Sequence, residues 1–600
     1  MKFAFTPSLR CASLALGLLL AACSIPTEQA DKPANVAVKP AIPVEDSVAP
    51  PPPATKDKSQ QRATGVMELA EVARSSASGE AMVMAEPAAS AAAPSVAYAP
   101  VYSFQPAPQN TEKYQRHADN PVKLTRVDAL STLSLDVDTG SYSNVRRFLN
   151  QGQLPPKDAV RIEEMVNYFR YSEAKPLPGH PFAVQTEVAI APWNRDHLLL
   201  RVGVKAVDVK AAAMPSANLV FLVDVSGSMD QPDKLPLVQA SLKMLTARLR
   251  PQDHVALVVY AGRTALELPA TPGDQKEKIL AAIARLQAGG STAGESALKM
   301  AYAQARAGYI KGGINRILLA TDGDFNVGVS DIEQLKSLIE RERESGISLT
   351  TLGFGQGNYQ DAMMQELADI GNGNYSYIDS LSEAKKVLVE EMSATFNTVA
   401  KDVKIQLEFN PAQIAEWRLI GYEKRVLREE DFRNDKVDAG EIGAGKTVTA
   451  LYELTPVGAA TLHSERRYDA AAPMTGDKTA GDKTTELGFL RIRYKQPEGS
   501  QSTELAQTIA RPDAAALTLT PSADLRFASA VAAFGQLLRQ SPYTGAFSYA
   551  DVKALAVSAA QNPASGVERG EFIKLVDLAA ALTPAKPETN AATHDRSSTN

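Results

Sequence analysis

One stretch restricts the fold of this chain more than any other: Leu219-Val-Phe-Leu-Val-Asp-Val-Ser-Gly-Ser-Met229. An apolar run of strand length stops at Asp224, and Ser226 and Ser228 alternate with it through a turn that carries Gly227. A run without a polar face is buried on both sides, which happens in a parallel sheet covered by helices. Ligands on such sheets gather outside the carboxyl ends of the strands, where this turn falls. One carboxylate and two hydroxyls on a tight turn are hard oxygen donors of low net charge. Mg²⁺ accepts such donors in octahedral geometry while keeping several waters.

Two further pieces follow the same rule. In Ala288-Gly-Gly-Ser-Thr-Ala-Gly-Glu-Ser-Ala297 a glycine-rich loop precedes a helical pattern, and in Ile317-Leu-Leu-Ala-Thr-Asp-Gly-Asp324 a second apolar strand ends in an aspartate. With their order along the chain, the three pieces resemble the von Willebrand factor type A family, whose metal-ion-dependent adhesion site begins with Asp-x-Ser-x-Ser. Thr292 matches the family's distal threonine and Asp322 its second carboxylate. The resemblance implies that Asp224, Ser226, Ser228, Thr292 and Asp322 hold Mg²⁺, or in its place Mn²⁺ or Ca²⁺, some of them through water. It also implies one open coordination position, completed by an Asp or Glu of a protein partner.

Six hundred residues exceed what one hydrophobic core organises and predict roughly three or four domains or segments. The net charge of −6 offers no basic stripe, which excludes nucleic acid as a partner. Both cysteines lie among the first residues, at Cys11 and Cys23. Residues 1–22 place Lys2 and Arg10 ahead of an apolar stretch too short to span a bilayer, the pattern of a signal peptide. Its end, Leu20-Ala-Ala-Cys23, resembles a bacterial lipobox, which implies cleavage and acylation at Cys23, so that the chain reaches a membrane through this residue. Ser24 in place of an aspartate then implies the outer membrane of a Gram-negative envelope, facing the periplasm or the cell surface. Residues 23–120 are rich in Ala, Pro and Ser and read as a disordered tether. Such a length reaches about 330 Å fully extended and about 60 Å as a coil.

Residues 121–210 read as an α+β segment, with a strand at Ser131–Val137, helices at Ser141–Asn150 and Arg161–Phe169, and strands at Phe182–Ile190 and His197–Val207. The stretches from Thr132 to Arg147 and from Leu154 to Met165 are similar to the N-terminal segment of a bacterial lipoprotein group carrying type A domains, the YfbK-like proteins. Across residues 217–398 strand and helix patterns alternate, predicting a doubly wound, Rossmann-like α/β domain of the type A kind, closed by a helix at Leu381–Phe396. Residues 401–500 form a β-rich module, expected to share a sheet with Phe182–Val207 so that the type A domain is an insertion between its strands. Residues 501–584 are helical; Phe527, Val531, Phe534 and Leu538 share a face and belong to a core rather than a ligand box. Residues 585–600 read as a disordered tail.

Two motifs point elsewhere. Asp138-Thr139-Gly140 looks like an aspartic-protease triplet, but that chemistry needs two carboxylates sharing a proton, and no second triplet occurs. Gly440-Glu-Ile-Gly-Ala-Gly-Lys-Thr447 satisfies a phosphate-loop pattern. Its flanks are a charged stretch and an alternating strand, whereas a phosphate loop needs a strand before and a helix after. A hairpin turn entering a strand is expected there instead, with no phosphate role for Lys446. The six histidines lie outside the three motif loops, so no nucleophile meets a positioned base. The expectation is a non-catalytic, metal-dependent protein-binding module on a lipid anchor. Its alternatives are a structural envelope protein with a metal-rigidified site and an enzyme of either kind.

Overall fold

The computed structural model describes residues 110–584, apart from 136–137, 177, 291–293, 324–328, 438, 465–484 and 561–565. Cys23, Thr292 and the repetitive stretch 475–484 therefore lie outside the described residues. Strands β1 (Lys123–Leu124), β2 (Leu130–Ser134), β3 (Phe182–Ala191) and β4 (Asn194–Ala206) precede the central domain, with helices α1 (Gly140–Asn150) and α2 (Ile162–Asn167) between them. Order begins earlier than the tether predicted over 23–120 allows. Lys113 bridges to Gln360, Asp119 pairs with Arg539 at 2.6 Å, and Asn120 Nδ2 donates to the Gly421 carbonyl at 2.6 Å. Polar composition hides this segment, because its hydrogen bonds go to distant backbone rather than to a local period.

The central sheet has the order β10-β9-β8-β5-β6-β7. Its strands are β5 (Ala217–Asp224), β6 (His254–Tyr260), β7 (Thr264–Pro272), β8 (Ile314–Thr321), β9 (Ser348–Phe354) and β10 (Tyr375–Ile378). All pairs are parallel except β6–β7. Every residue of β5 and β8 is buried, because alternate residues feed two separate cores. Leu219, Phe221 and Val223 pack with Val238, Leu242 and Leu245 of α3 (Leu235–Arg248) and with Ile279 and Ile283 of α4 (Lys276–Ala284). Val220 and Leu222 face Leu298 and Tyr302 of α5 (Gly294–Ala307) and Leu335 and Ile339 of α6 (Val329–Glu344). This is the doubly wound α/β architecture. β7 carries Pro269 and Pro272 and occupies the sheet edge, where missing N–H groups are tolerated.

Helix α7 (Asp361–Ile370) leads to β10, and the expected closing helix is broken into α8 (Leu381–Lys385), a π turn at Lys386–Glu390 and α9 (Met392–Phe396). The wider turn brings Lys386 to Glu391 at 2.9 Å and over the Tyr168 ring at 4.2 Å.

After α9 come β11 (Thr398–Phe409), β12 (Ile414–Ile420), β13 (Val426–Leu427), β14 (Gly440–Gly443), β15 (Thr447–Pro456), β16 (Glu486–Lys495) and β17 (Ser502–Ala510). They form two sheets with the early strands, β1-β12-β15-β4-β3 and β13-β2-β11-β16-β17. β4 and β15 pair from Leu198↔Leu454 to Lys205↔Thr447. Leu200, Val202 and Tyr452 of one sheet share a core with Ile405, Leu407 and Leu490 of the other. The α/β domain thus enters and leaves one β-sandwich whose strands come from both sides of it. β17 lies inside the stretch read as helical from 501; it is the edge strand of its sheet, and its alternating exposure leaves one face in solvent.

Helices α10 (Ala514–Thr518), α11 (Ala523–Arg539), α12 (Tyr549–Ala559) and α13 (Gly566–Leu582) end the described chain. Phe527 and Phe572 pack edge to face with Phe169 just beyond α2, so these rings are core. Among the described residues no helix is long and apolar enough to cross a membrane.

Candidate metal centre

β5 and β8 are parallel neighbours in register Val223↔Ala320, so Asp224 and Asp322 leave the sheet side by side, both fully buried. The turn after β5 folds back on its own carboxylate: Ser226 N donates to Asp224 Oδ1 at 2.9 Å, and the Ser226 and Ser228 hydroxyls lie 3.1 Å apart. The two hydroxyls also lower the carboxyl pKa values electrostatically, Ser226 that of Asp224 and Ser228 that of Asp322. The structure therefore brings together four of the five residues the motifs single out, at the adjacent carboxyl ends of β5 and β8.

The glycine-rich loop is tied to the same turn. Gly289 N donates to the Val225 carbonyl at 2.8 Å, and Gly227 N donates to the Gly290 carbonyl at 3.1 Å. Gly290 has φ +87°, and a Cβ there would stand 2.7 Å from Gly262 N, so only glycine lets the loop approach so closely. These bonds hold the chain two residues before Thr292, which itself lies outside the described residues.

Three participants escaped the motif reading. Thr321 Oγ1 donates to Asp224 Oδ2 at 2.8 Å. Lys234, buried at the start of α3, places Nζ 3.0 Å from Asp322 Oδ2 and 2.9 Å from Asn358 Oδ1. Asn358 Nδ2 donates to the same Asp322 oxygen at 3.0 Å. Thr321 adjoins Asp322 in the sequence and could have been suspected; nothing local marks Lys234 or Asn358.

The two carboxyls differ electrostatically. Burial, with the nearby Asp322 charge, pushes Asp224 up to about 6 against the bonds it accepts from Ser226 and Thr321. Burial pushes Asp322 the same way, but the Asn358 amide, the Lys234 ammonium and the Ser228 hydroxyl outweigh it and hold it below its ordinary value. A buried, under-compensated carboxylate beside two hydroxyls and a second carboxylate fits an oxygen-preferring dication. Among the described residues no group of three His, Cys, Asp or Glu side chains is placed to hold a metal; the set here rests on two carboxylates and hydroxyls.

A segment from the amino-terminal side reaches the loop that carries Asn358. Thr111 N donates to the Gly357 carbonyl at 2.7 Å, Lys113 N to the Tyr359 carbonyl at 2.9 Å, and Gly357 N to Glu112 Oε1 at 2.8 Å. Glu112 is held in turn by Arg147 Nη1 and Nη2 at 3.0 and 2.8 Å. Both neighbours of Asn358 are thus pinned.

The two misleading motifs are structural. Asp138 Oδ1 accepts from Tyr375 N at 2.8 Å and Oδ2 from Arg425 at 3.3 Å; a Cβ on Gly140 would fall 2.2 Å from the Tyr375 ring. The phosphate-loop lookalike is not the expected hairpin. β14 pairs with β11, β15 pairs with β4, and the glycine turn crosses between sheets. Gly443 passes so close to the Ala394 carbonyl that a Cβ would lie 1.8 Å from its oxygen.

Comparison with known proteins agrees with this architecture. Residues 218–391 match the von Willebrand factor type A domain family, residues 108–201 a family described as von Willebrand factor, and residues 394–582 the family described as uncharacterized protein YfbK, C-terminal. The uncharacterized protein YfbK of Escherichia coli K12 is 52% identical over 481 residues, covering 79% of this chain and 82% of that protein. The uncharacterized protein sll0103 of Synechocystis is 29% identical over 222 residues, 37% of this chain and 51% of that protein. The solved von Willebrand factor type A structure from Catenulispora acidiphila matches with a TM-score of 0.38 and 15% identity, covering 68% of this chain and 97% of that one. The chain belongs to the YfbK family of von Willebrand factor type A domain proteins.

Proposed function

We propose that this protein captures a protein partner through a Mg²⁺-dependent site formed by Asp224, Ser226, Ser228, Asp322 and Thr292, without turnover, while anchored to the bacterial envelope through acylated Cys23. The observation that carries the reading is the convergence of Asp224, Ser226, Ser228 and Asp322 at the carboxyl ends of β5 and β8. Bound Mg²⁺, or Mn²⁺ or Ca²⁺ in its place, would supply an electrophilic position that an Asp or Glu of the partner completes. Two carboxylates offset by the Lys234 ammonium leave a net charge of −1 in the described site, which a dication turns positive. That sign favours an acidic partner. Lys234 also lets the strand ends pack before metal arrives, so the cation serves recognition rather than folding. The anchor rests on the sequence from Leu20 to Cys23, which reads as a lipobox of an outer-membrane lipoprotein.

The test is a melting series of wild type and Asp224→Ala in Mg²⁺ and in EDTA. Mg²⁺ is expected to raise the melting temperature of the wild type and to leave the variant nearly unmoved; equal shifts in both remove Asp224 from the ligand set. Crosslinking pull-downs from the envelope, with and without chelator, separate metal-dependent capture from a purely structural role. Fatty-acid labelling of wild type against Cys23→Ser tests the anchor.

A further inference from the structure

β8 opens at the amino end of the sheet with Ile314-Asn315-Arg316. Asn315 turns to Ile310 and Asn218. By strand alternation Arg316 points to the other face, toward the side where α9 and β11 leave the domain. Arg316 is 3% exposed. Its Nη1 donates to Thr350 Oγ1 at 2.6 Å, and Nε has no hydrogen-bond partner among the described residues.

Buried guanidinium groups are costly unless a carboxylate meets them, and elsewhere this protein obeys that rule. Arg146, Arg161, Arg201, Arg418 and Arg569 each pair with a buried carboxylate, as do Arg147 and Arg539. Among the described residues Arg316 has no carboxylate within ion-pair distance. Glu441 acts on it only from farther away and already accepts from Asn372 Nδ2 at 2.8 Å. Burial accordingly pushes Arg316 down to about 10.

Arg316 lines a cleft of about 710 Å³ between the α/β domain and the β-sandwich. Lys311, Arg343 and Lys401 also line it, against Glu441 and Glu498, so the wall carries a positive excess. That volume falls within the range of roughly 300–1,000 Å³ found for small-molecule sites. The cleft lies at the opposite end of β8 from Asp322 and is separate from the candidate metal centre.

We propose that this cleft binds a small ligand bearing an oxyanion, a carboxylate or a phosphate, which supplies the counter-charge that Arg316 lacks. The planar fork of a guanidinium matches both groups, and Lys311, exposed beside the cleft, draws the anion in.

The experiment uses the full chain freed of divalent cations with a chelating resin, so that its outcome does not depend on the metal site and no soluble polycarboxylate competes for the cleft. Melting temperature and isothermal titration are followed with inorganic phosphate and with succinate, against NaCl at matched ionic strength. Saturable binding of at least one anion is expected, weakened about tenfold or more in Arg316→Met, the factor that one charge-assisted hydrogen bond supplies. Lys311→Ser, at an exposed position, weakens binding without unfolding and serves if Arg316→Met does not fold. Binding of phosphate alone identifies a phosphate ligand, and binding of succinate alone a carboxylate. Absence of saturable binding of either anion in the wild type, or undiminished binding in the variants that fold, overturns the proposal.

Discussion

Lys234 Nζ stands 3.0 Å from Asp322 Oδ2, both side chains buried, 88 residues apart in the chain. The strand-end carboxylate that the motif offers to a dication is thus already compensated by an ammonium. Lys234→Met leaves that carboxylate buried without a cation, a change that costs about 3–5 kcal/mol for pairs of this kind. The loss is expected in EDTA and is expected to shrink in Mg²⁺, because the dication replaces the missing charge. Melting curves in the two buffers decide it: an equal drop in both would mean that no metal reaches Asp322.

Glu112 holds the loop next to the site. Its carboxylate takes both Arg147 donors and the Gly357 amide. Glu112→Ala strands a buried guanidinium and is expected to destabilise the protein by about 3 kcal/mol or more, read from urea unfolding. Glu112→Gln keeps an acceptor for the amide and should recover part of the loss. A neutral Glu112→Ala would show that the segment 110–114 is not part of the folded unit.

The turn that imitates a phosphate loop depends on Gly443 rather than on Lys446. A Cβ at Gly443 meets backbone, the Ala394 carbonyl oxygen, which cannot swing aside as a side chain could. Gly443→Ala is expected to cost about 1–3 kcal/mol or more, and Lys446→Ala, which removes a half-buried side chain but leaves the turn's backbone intact, to cost less than Gly443→Ala. Saturable ATP binding that disappears in Lys446→Ala would contradict this account.

His117 predicts a dependence on acid. Burial, with the positive charges of Lys424, Arg161 and Arg539, holds its imidazole down to about 4, and its Nε2 is buried without a hydrogen-bond partner among the described residues. Between that value and the ordinary 6.5 the unfolded chain binds the proton and the folded chain does not. This contribution to stability is therefore complete above 6.5 and is lost as pH falls toward 4. Urea midpoints at pH 7 and pH 4.5 should show wild type losing more than His117→Gln; equal losses would rule the group out.

By itself the sequence determined the elements whose causes are local. β5 and β8 are legible because the runs 219–223 and 317–320 within them are wholly apolar and an aspartate closely follows each, and a strand buried on both faces permits little else. That the loops after these strands meet is what the resemblance to the von Willebrand factor type A family implies, and the structure brings Asp224, Ser226, Ser228 and Asp322 to adjacent strand ends. The Phe527 and Phe534 face was readable for the same reason, a helical period that one core explains. Tertiary structure decided whatever depends on what faces a side chain across long stretches of chain. Lys234 and Asn358 reach Asp322 only after α3 and the loop behind β9 are packed, and the segment at Glu112 finds Gly357 across 245 residues. Asp138 resembles a catalytic acid until the Tyr375 amide and Arg425 occupy its oxygens. Arg316 looks like any strand arginine until, among the described residues, no carboxylate comes within ion-pair distance of it, unlike the other buried arginines. Periodicity records which face of an element is buried, but a charge acquires its role from its neighbours, and those neighbours are set by the packing of the sheets and helices.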